Sequence, residues 1–251
     1  QVHGKRHFVV KTPIGVVGAI APWNFPLVLS VRKVAPAMAA GCPVILKPAS
    51  QTPLCAIALA ECMEAAGIPG GVFQLAIGKA AMIGEAFLTN PICRKISFTG
   101  STQVGQELIR GAADQVKPLS LELGGQAPLL IFEDCDLDRA VQETMIAKFR
   151  NTGQSCIAAN RIYVQKTIYG NFLNKFVSEV KRLKTGSGLE ESVDVGALIS
   201  QHALEGALAQ IEDAVKHGGK ILTGGKRLAG TSGYFLEPTV IEGMQDNALC
   251  M

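Results

Sequence analysis

Short apolar runs that end in Gly, Pro or Lys alternate with longer segments of helical spacing along most of the chain. That is the pattern of β–α units wound around a mainly parallel sheet. Strands are predicted at residues 15–20, 43–46, 72–76 and 95–98. Between them, Thr52 is expected to cap a helix with Pro53 in its first turn, carried by Leu54, Ile57, Ala58 and Met63 and stopped by Gly67. A second helix is expected to open at Gly100-Ser101-Thr102, directly after the strand KISF. From Lys117 the pattern shifts: two strand-like runs, PLSLEL and APLLIF, flank Gly124-Gly125, and a helix over Leu137–Phe149 follows. Further helices are expected at 169–183 and 203–217, with a strand and turn in KILTGGKRL. The Gly-Gly pair marks the boundary between two domains, 1–123 and 124–251.

Composition narrows the classes. Of 251 residues, 48% are hydrophobic and 18% charged, enough apolar material for one large α/β domain or two smaller ones. The net charge of +3 is mild, and the basic cluster Lys5-Arg6-His7 has no interleaved aromatics, so no nucleic-acid partner is expected. Residues 12–31 carry no charge and are long enough for a membrane span, but Pro13, Pro22, Asn24 and Pro26 break the run, and no membrane partner is expected. The seven cysteines are odd in number and lack paired C-x-x-C spacing, which indicates neither a disulfide framework nor a zinc site. A reducing compartment, the cytoplasm, is the default. No signal peptide is visible, yet the chain starts at Gln1, so a lost targeting segment and a mitochondrial location stay open. His3 and His7 would share a helix face, but Gly4 and the β-branched residues after them argue against a helix, and no metal site is expected.

Five stretches carry possible chemistry, each with an ordinary alternative. In FRNTGQSC, Asn and Gly accept backbone angles that other residues resist, so the helix ends and Cys156 is presented at a loop. In FTGSTQVG a strand runs into Gly100 and a helix begins at once, so free N–H groups and the helix dipole suit an anion such as phosphate. The spacing matches neither G-x-G-x-x-G nor a P-loop, and a plain Gly-Ser turn fits equally well. ILKPAS puts Lys47 at the strand edge where open α/β sheets bind ligands, with Ser50 close by; a lysine snorkelling from a strand end is the alternative. In APWNFP two prolines stiffen Trp23-Asn24-Phe25, which would aim the Asn24 amide at a developing oxyanion, though Asn is also a common turn residue. In LELGG, Glu122 falls among leucines, where desolvation would raise its pKa toward that of a general base; a partly exposed strand-edge Glu is the competing reading. Together a thiol, a carboxylate, an amide and a helix-start anion site are the parts of covalent catalysis on a dinucleotide platform.

With PWNFP, KPAS, FTGST-x-VG, LELGG and F-R-N-x-G-Q-x-C in this order, the chain resembles the aldehyde dehydrogenase superfamily over essentially its whole length. KPASQTP, KFRNTGQSC and RKVAPAMAAGCP resemble the succinate-semialdehyde dehydrogenase group. The resemblance implies an α/β fold: part of a Rossmann-like cofactor domain, with 1–13 as a linking and oligomerisation strand, then a catalytic α/β domain. It implies that Cys156 is the nucleophile, that Asn24 and the Cys156 backbone N–H hold the oxyanion, and that Glu122 activates the hydrolytic water. Cofactor contacts carry over to Trp23, Lys47, Pro48, Ala49, Ser50, Gly100 and Ser101, with NADP or NAD as cofactor. Ser50 stands where family members that prefer NAD often hold a Glu, so NADP is expected to be accepted. Arg32 and Arg150 match positions that bind the distal carboxylate of the substrate, although surface arginines on helices would look the same. A small aldehyde substrate and a homodimer or homotetramer are further implications.

The family's Glu-x-Phe-Gly-Pro motif, its substrate-lining loop and its C-terminal oligomerising strand are not found, so the sequence is expected to be a piece of a longer polypeptide. Two other classes remain: a non-catalytic protein that keeps the fold, and a cysteine hydrolase. The intact Cys156, Glu122 and Asn24 oppose the first, and the second lacks a histidine partner within the motifs.

Overall fold

Four of the five residues of Val16–Ile20 (β1) are large or small apolar side chains on alternating faces; its edges are paired because the strand lies mid-sheet, and both faces are covered by packed helices. The chain continues through α1 (Pro26–Ala39), β2 (Val44–Lys47), α2 (Leu54–Ala65), β3 (Phe73–Leu75), α3 (Ala80–Thr89), β4 (Cys93–Gly100), α4 (Thr102–Ala112) and β5 (Leu119–Leu123). In the computed structural model, which describes residues 4–251, these strands pair in parallel in the order β3-β2-β1-β4-β5. Strand order thus reverses between β1 and β4, the place where open α/β sheets leave a crevice at their carboxyl edge.

Helices cover both faces. Val17, Ala19, Val44 and Leu46 pack with Val34 of α1 and Ala56 of α2, while Cys93 and Ile96 pack with Phe87 of α3 on the opposite side. Each Val or Leu buried in this way contributes about 1.5–3 kcal/mol relative to exposure. Lys117 is buried too, and its Nζ donates to the carbonyls of Phe87 (2.5 Å) and Asn90 (2.9 Å), satisfying groups at the end of α3.

A second compact unit runs from Gly125 to Met251, the first ending at Gly124. Its β6 (Pro128–Ile131) leads into α5 (Leu137–Phe149), whose start is capped by the Asp136 carboxylate accepting from the N–H groups of Asp138 and Arg139. Then come β7 (Arg161–Val164), parallel to β6, α6 (Tyr169–Arg182), α7 (Gln201–Lys216), and an antiparallel pair, β8 (Lys220–Thr223) with β9 (Val240–Glu242). Ile131, Val141, Phe172, Phe176 and Val180 form its core, with the rings of Phe172 and Phe176 stacked at 5.6 Å.

Several expectations need correction. Thr52 does not cap α2: Pro53 holds the cap position, and the Thr52 hydroxyl donates instead to the Trp23 carbonyl at 3.3 Å. Residues 4–13 pair with no strand of this chain, and the first three residues of the expected linking strand, including His3, lie outside the described residues. Helix α3 and strands β7 and β9 were not foreseen. The start of α3 has no side-chain cap and its end is satisfied from outside by Lys117, and β7 is four residues long between irregular segments.

Candidate active site

Apart from Arg32, which lies within α1, the first-unit candidates sit at the carboxyl edge of the parallel sheet. Trp23 and Asn24 follow β1, Lys47 ends β2 with Pro48, Ala49 and Ser50 behind it, and Gly100 ends β4 with Ser101 next. Glu122 is the penultimate residue of β5, in register with Thr99 of β4. The topology therefore brings together residues that lie up to a hundred positions apart.

The α4 start has the geometry that suits an anion. The Ser101 hydroxyl caps it by accepting from Val104 N at 3.4 Å, and the next backbone N–H groups open toward the sheet edge. At Gly100 a Cβ would come within 2.3 Å of the Phe98 ring, so only glycine fits. Lys47 does not snorkel: it is buried, and its Nζ donates to the Pro48 carbonyl at 2.8 Å. Burial lowers its pKa. Ser50, the last member of this loop, is exposed. A buried cation at one strand end and a glycine-lined helix start at another fit the phosphates and ribose of a dinucleotide.

Asn24 is half-buried, and its side-chain carbonyl accepts from Phe25 N at 3.1 Å, which fixes the orientation of the amide. Glu122 is exposed in this structure, so desolvation by leucines has no support here. Its β5 neighbours Leu121 and Leu123 point away from it, to the other face of the strand.

The sequence reading missed Lys33. Arg32 is exposed on α1, but the adjacent Lys33 turns inward with Ser30 and Val34 and donates from Nζ to Thr99 Oγ1 at 2.5 Å. Positions 30, 33, 34 and 37 share one helix face, the signal that would have found it. Burial lowers the Lys33 pKa, Glu122 opposes that shift, and Arg32 adds to it. Between the lowered native value and the ordinary lysine value the unfolded chain binds the extra proton, so this group makes stability rise with pH. Urea midpoints of the full-length protein and its Lys33→Met variant should accordingly shift relative to one another, the wild type gaining as pH rises through that window. A pH-independent difference would count against a charged, desolvated Lys33.

In the second unit Cys156 is exposed in a turn after α5. Arg150 lies just past the helix, at its C-cap, rather than on it. The chain then takes three successive left-handed residues: Asn151 (φ 54°), Thr152 (φ 59°) and Gly153 (φ 71°). Such a conformation costs about 1–2 kcal/mol for a residue with a Cβ, and a β-branched Thr adopts it rarely. At Gly153 a Cβ would lie 3.0 Å from the Lys148 carbonyl oxygen. A cavity of about 510 Å³ borders the far side of this turn, with Lys148, Thr152, Gln154 and Glu237 in its wall. Cys156 does not line it, so the cavity is no guide to the chemistry.

All seven thiols are unpaired, and among the described residues no group of three His, Cys, Asp or Glu could hold a metal and no helix is long and apolar enough to cross a membrane.

A family model described as the aldehyde dehydrogenase family matches residues 1–251. The chain belongs to the aldehyde dehydrogenase family. It is 49% identical over 245 residues to a glutarate-semialdehyde dehydrogenase of Pseudomonas aeruginosa, covering 98% of this chain and 50% of that protein. To a probable succinate-semialdehyde dehydrogenase, NADP(+), of Sinorhizobium fredii it is 51% identical over 238 residues, covering 94% and 48%. The crystal structure of a succinate-semialdehyde dehydrogenase from Burkholderia pseudomallei matches with a TM-score of 0.94 at 46% identity, covering 96% of this chain and 50% of that one. This aldehyde dehydrogenase chain spans about half the length of the curated relatives it matches.

Proposed function

We propose that the intact polypeptide oxidises an aldehyde bearing a distal carboxylate, with succinic semialdehyde the favoured substrate, to the corresponding acid, using NADP or NAD. The observation that carries this reading is the exposed Cys156 thiol, held just after a run of left-handed residues in an aldehyde dehydrogenase chain. The Cys156 thiolate adds to the carbonyl carbon, and the oxyanion that forms accepts hydrogen bonds from the Asn24 amide and the Cys156 N–H. The nicotinamide, when bound, supplies the hydride acceptor that converts this adduct to a thioester. Glu122 then takes a proton from water as it attacks the thioester, and the acid and the free thiolate leave. Lys47, Gly100 and Ser101 hold the phosphates and ribose, with Trp23, Pro48 and Ala49 beside them. Ser50 adds no negative charge that would repel a 2′-phosphate, which favours NADP. The relatives' names support the substrate class, since glutaric and succinic semialdehydes both end in a carboxylate.

Arg32 and Arg150 are both exposed and suit a carboxylate by their planar forks. Losing such a charged hydrogen-bonded contact costs about 1.5–3 kcal/mol, roughly ten- to a hundredfold in binding. Arg150→Ala in the full-length protein should therefore raise KM for succinic semialdehyde by about that factor while changing KM for butanal less than about threefold. Equal changes for both aldehydes would remove the carboxylate clamp from the reading.

The unpaired cysteines fit a reducing compartment, taken here as the cytoplasm. Phe8, Val9 and Val10 are 84%, 91% and 80% exposed in succession, a surface that assembly into a homodimer or homotetramer would cover.

A further inference from the structure

Three left-handed residues in a row do not persist unless their surroundings hold them; besides the bond within the turn from Asn151 Nδ2 to the Gln154 carbonyl at 3.2 Å, three holding contacts come from one nearby segment. Thr152 Oγ1 accepts from Gly196 N at 3.1 Å. Gln154 Oε1 accepts from Ile199 N at 2.9 Å, and its Nε2 donates to the Ala197 carbonyl at 3.3 Å. Two side chains of the turn thus bond three backbone groups within residues 196–199.

That strap is itself fixed. Val195, at its start, is buried; its N–H donates to the Lys184 carbonyl at 3.0 Å, and its carbonyl accepts from Gly186 N at 3.0 Å. Leu198 N donates to the Tyr234 carbonyl at 2.9 Å. At its far end the strap runs into α7, whose cap is the Ser200 hydroxyl accepting from Ala203 N at 3.2 Å. Anchors on both sides make the strap a rigid reference for the turn.

We propose that Thr152 and Gln154 are positioning residues, which lock the left-handed turn to the 196–199 strap and so set the placement and reactivity of the Cys156 thiol. This rests on the reading of Cys156 as the nucleophile. Hydroxyl and amide groups are needed because the strap offers backbone donors and one acceptor, and apolar side chains of the same size would leave them unpaired. Without the clamp, Asn151 and Thr152 relax toward ordinary backbone angles, and the thiol four to five residues on moves with them.

The test uses the full-length protein and the variants Thr152→Val, Thr152→Ser and Gln154→Leu. Two quantities are measured: the rate constant of the first NADPH burst beside KM for succinic semialdehyde, and the rate of iodoacetamide alkylation at Cys156 relative to Cys55 and Cys62, read by peptide mass spectrometry. Cys55 and Cys62 are exposed on α2 and report general accessibility. Thr152→Val and Gln154→Leu are expected to slow the burst by about tenfold or more, since a misplacement on the order of 1 Å is that costly, with KM changed less than about twofold. The Cys156-to-Cys55 alkylation ratio should shift several-fold, and Thr152→Ser should restore both. Unchanged burst and ratio in Thr152→Val and Gln154→Leu would overturn the clamp. So would a shift shared by all three thiols that Ser does not restore, because that is general loosening. If the folded wild type reduces neither NADP nor NAD, the aldehyde reading fails, and the alkylation ratio still decides the clamp by itself.

Discussion

Replacing Cys156 by Ala in the full-length protein is expected to abolish the rapid rise in NADPH absorbance on mixing with succinic semialdehyde and NADP, a loss of about 10⁴-fold or more. The size follows from the chemistry: without the sulfur no covalent adduct forms, and hydride transfer would need a hydrated aldehyde in its place. Neither Ser155 nor any other nearby group replaces the thiolate at neutral pH, because a hydroxyl without an adjacent base stays protonated. A rapid-mixing record settles it, with circular dichroism to establish that the variant is folded. An undiminished burst in Cys156→Ala would move the nucleophile elsewhere. No reduced cofactor from folded wild type with any aldehyde tried would favour a protein that keeps the fold without the chemistry.

Glu122→Gln should give a different signature. General-base assistance contributes about 10²–10⁴-fold, and in the proposed mechanism it acts only on thioester hydrolysis. The variant is expected to release a single burst of about one NADPH per Cys156 and then turn over slower by that factor, with the thioester accumulating on the enzyme. Acid quench and intact-mass measurement would find the added acyl group. Loss of the burst itself, with slow turnover, would place Glu122 in the earlier thiolate-forming step. Retained turnover would release it from catalysis. The exposure of Glu122 gives it freedom to serve a water, and the Lys33 ammonium that senses its charge lies on the neighbouring helix α1.

Much of this was legible in the sequence, and unevenly so. Strands β1, β2 and β4 stand out because their apolar runs end abruptly in proline, lysine or glycine, and α5 stands out because Asp136 caps it and Asn151 cannot continue it. Helix α3 hides because Lys79 supplies no cap at its start and the side chain that satisfies its end, Lys117, lies some 30 residues away in sequence. Residue identity marked Cys156, Lys47 and Gly100, but burial was misjudged in two places: Lys47 is enclosed where a snorkelling side chain was the simpler expectation, and Glu122 is exposed among its leucines. Lys33 was eclipsed by its charged neighbour, since adjacent helical residues face different ways and only the 30-33-34 spacing distinguishes them. The contacts of Thr152 and Gln154 with residues 196–199 were beyond reach, because they are made to backbone groups some 45 positions away whose identity leaves no trace.

The strand order also governs how this chain comes together in time. β2 joins β1 within a few dozen residues, yet the other edge of β1 waits for β4, where Val17 meets Lys95, about 80 residues later. Until then the most apolar strand of the sheet has a bare edge with unpaired N–H and C=O groups. During synthesis or refolding that edge is a template for any other exposed strand, including the same strand of a second molecule. Dilution and low temperature should protect yield during that interval, because pairing with a neighbour depends on concentration and closure onto β4 does not.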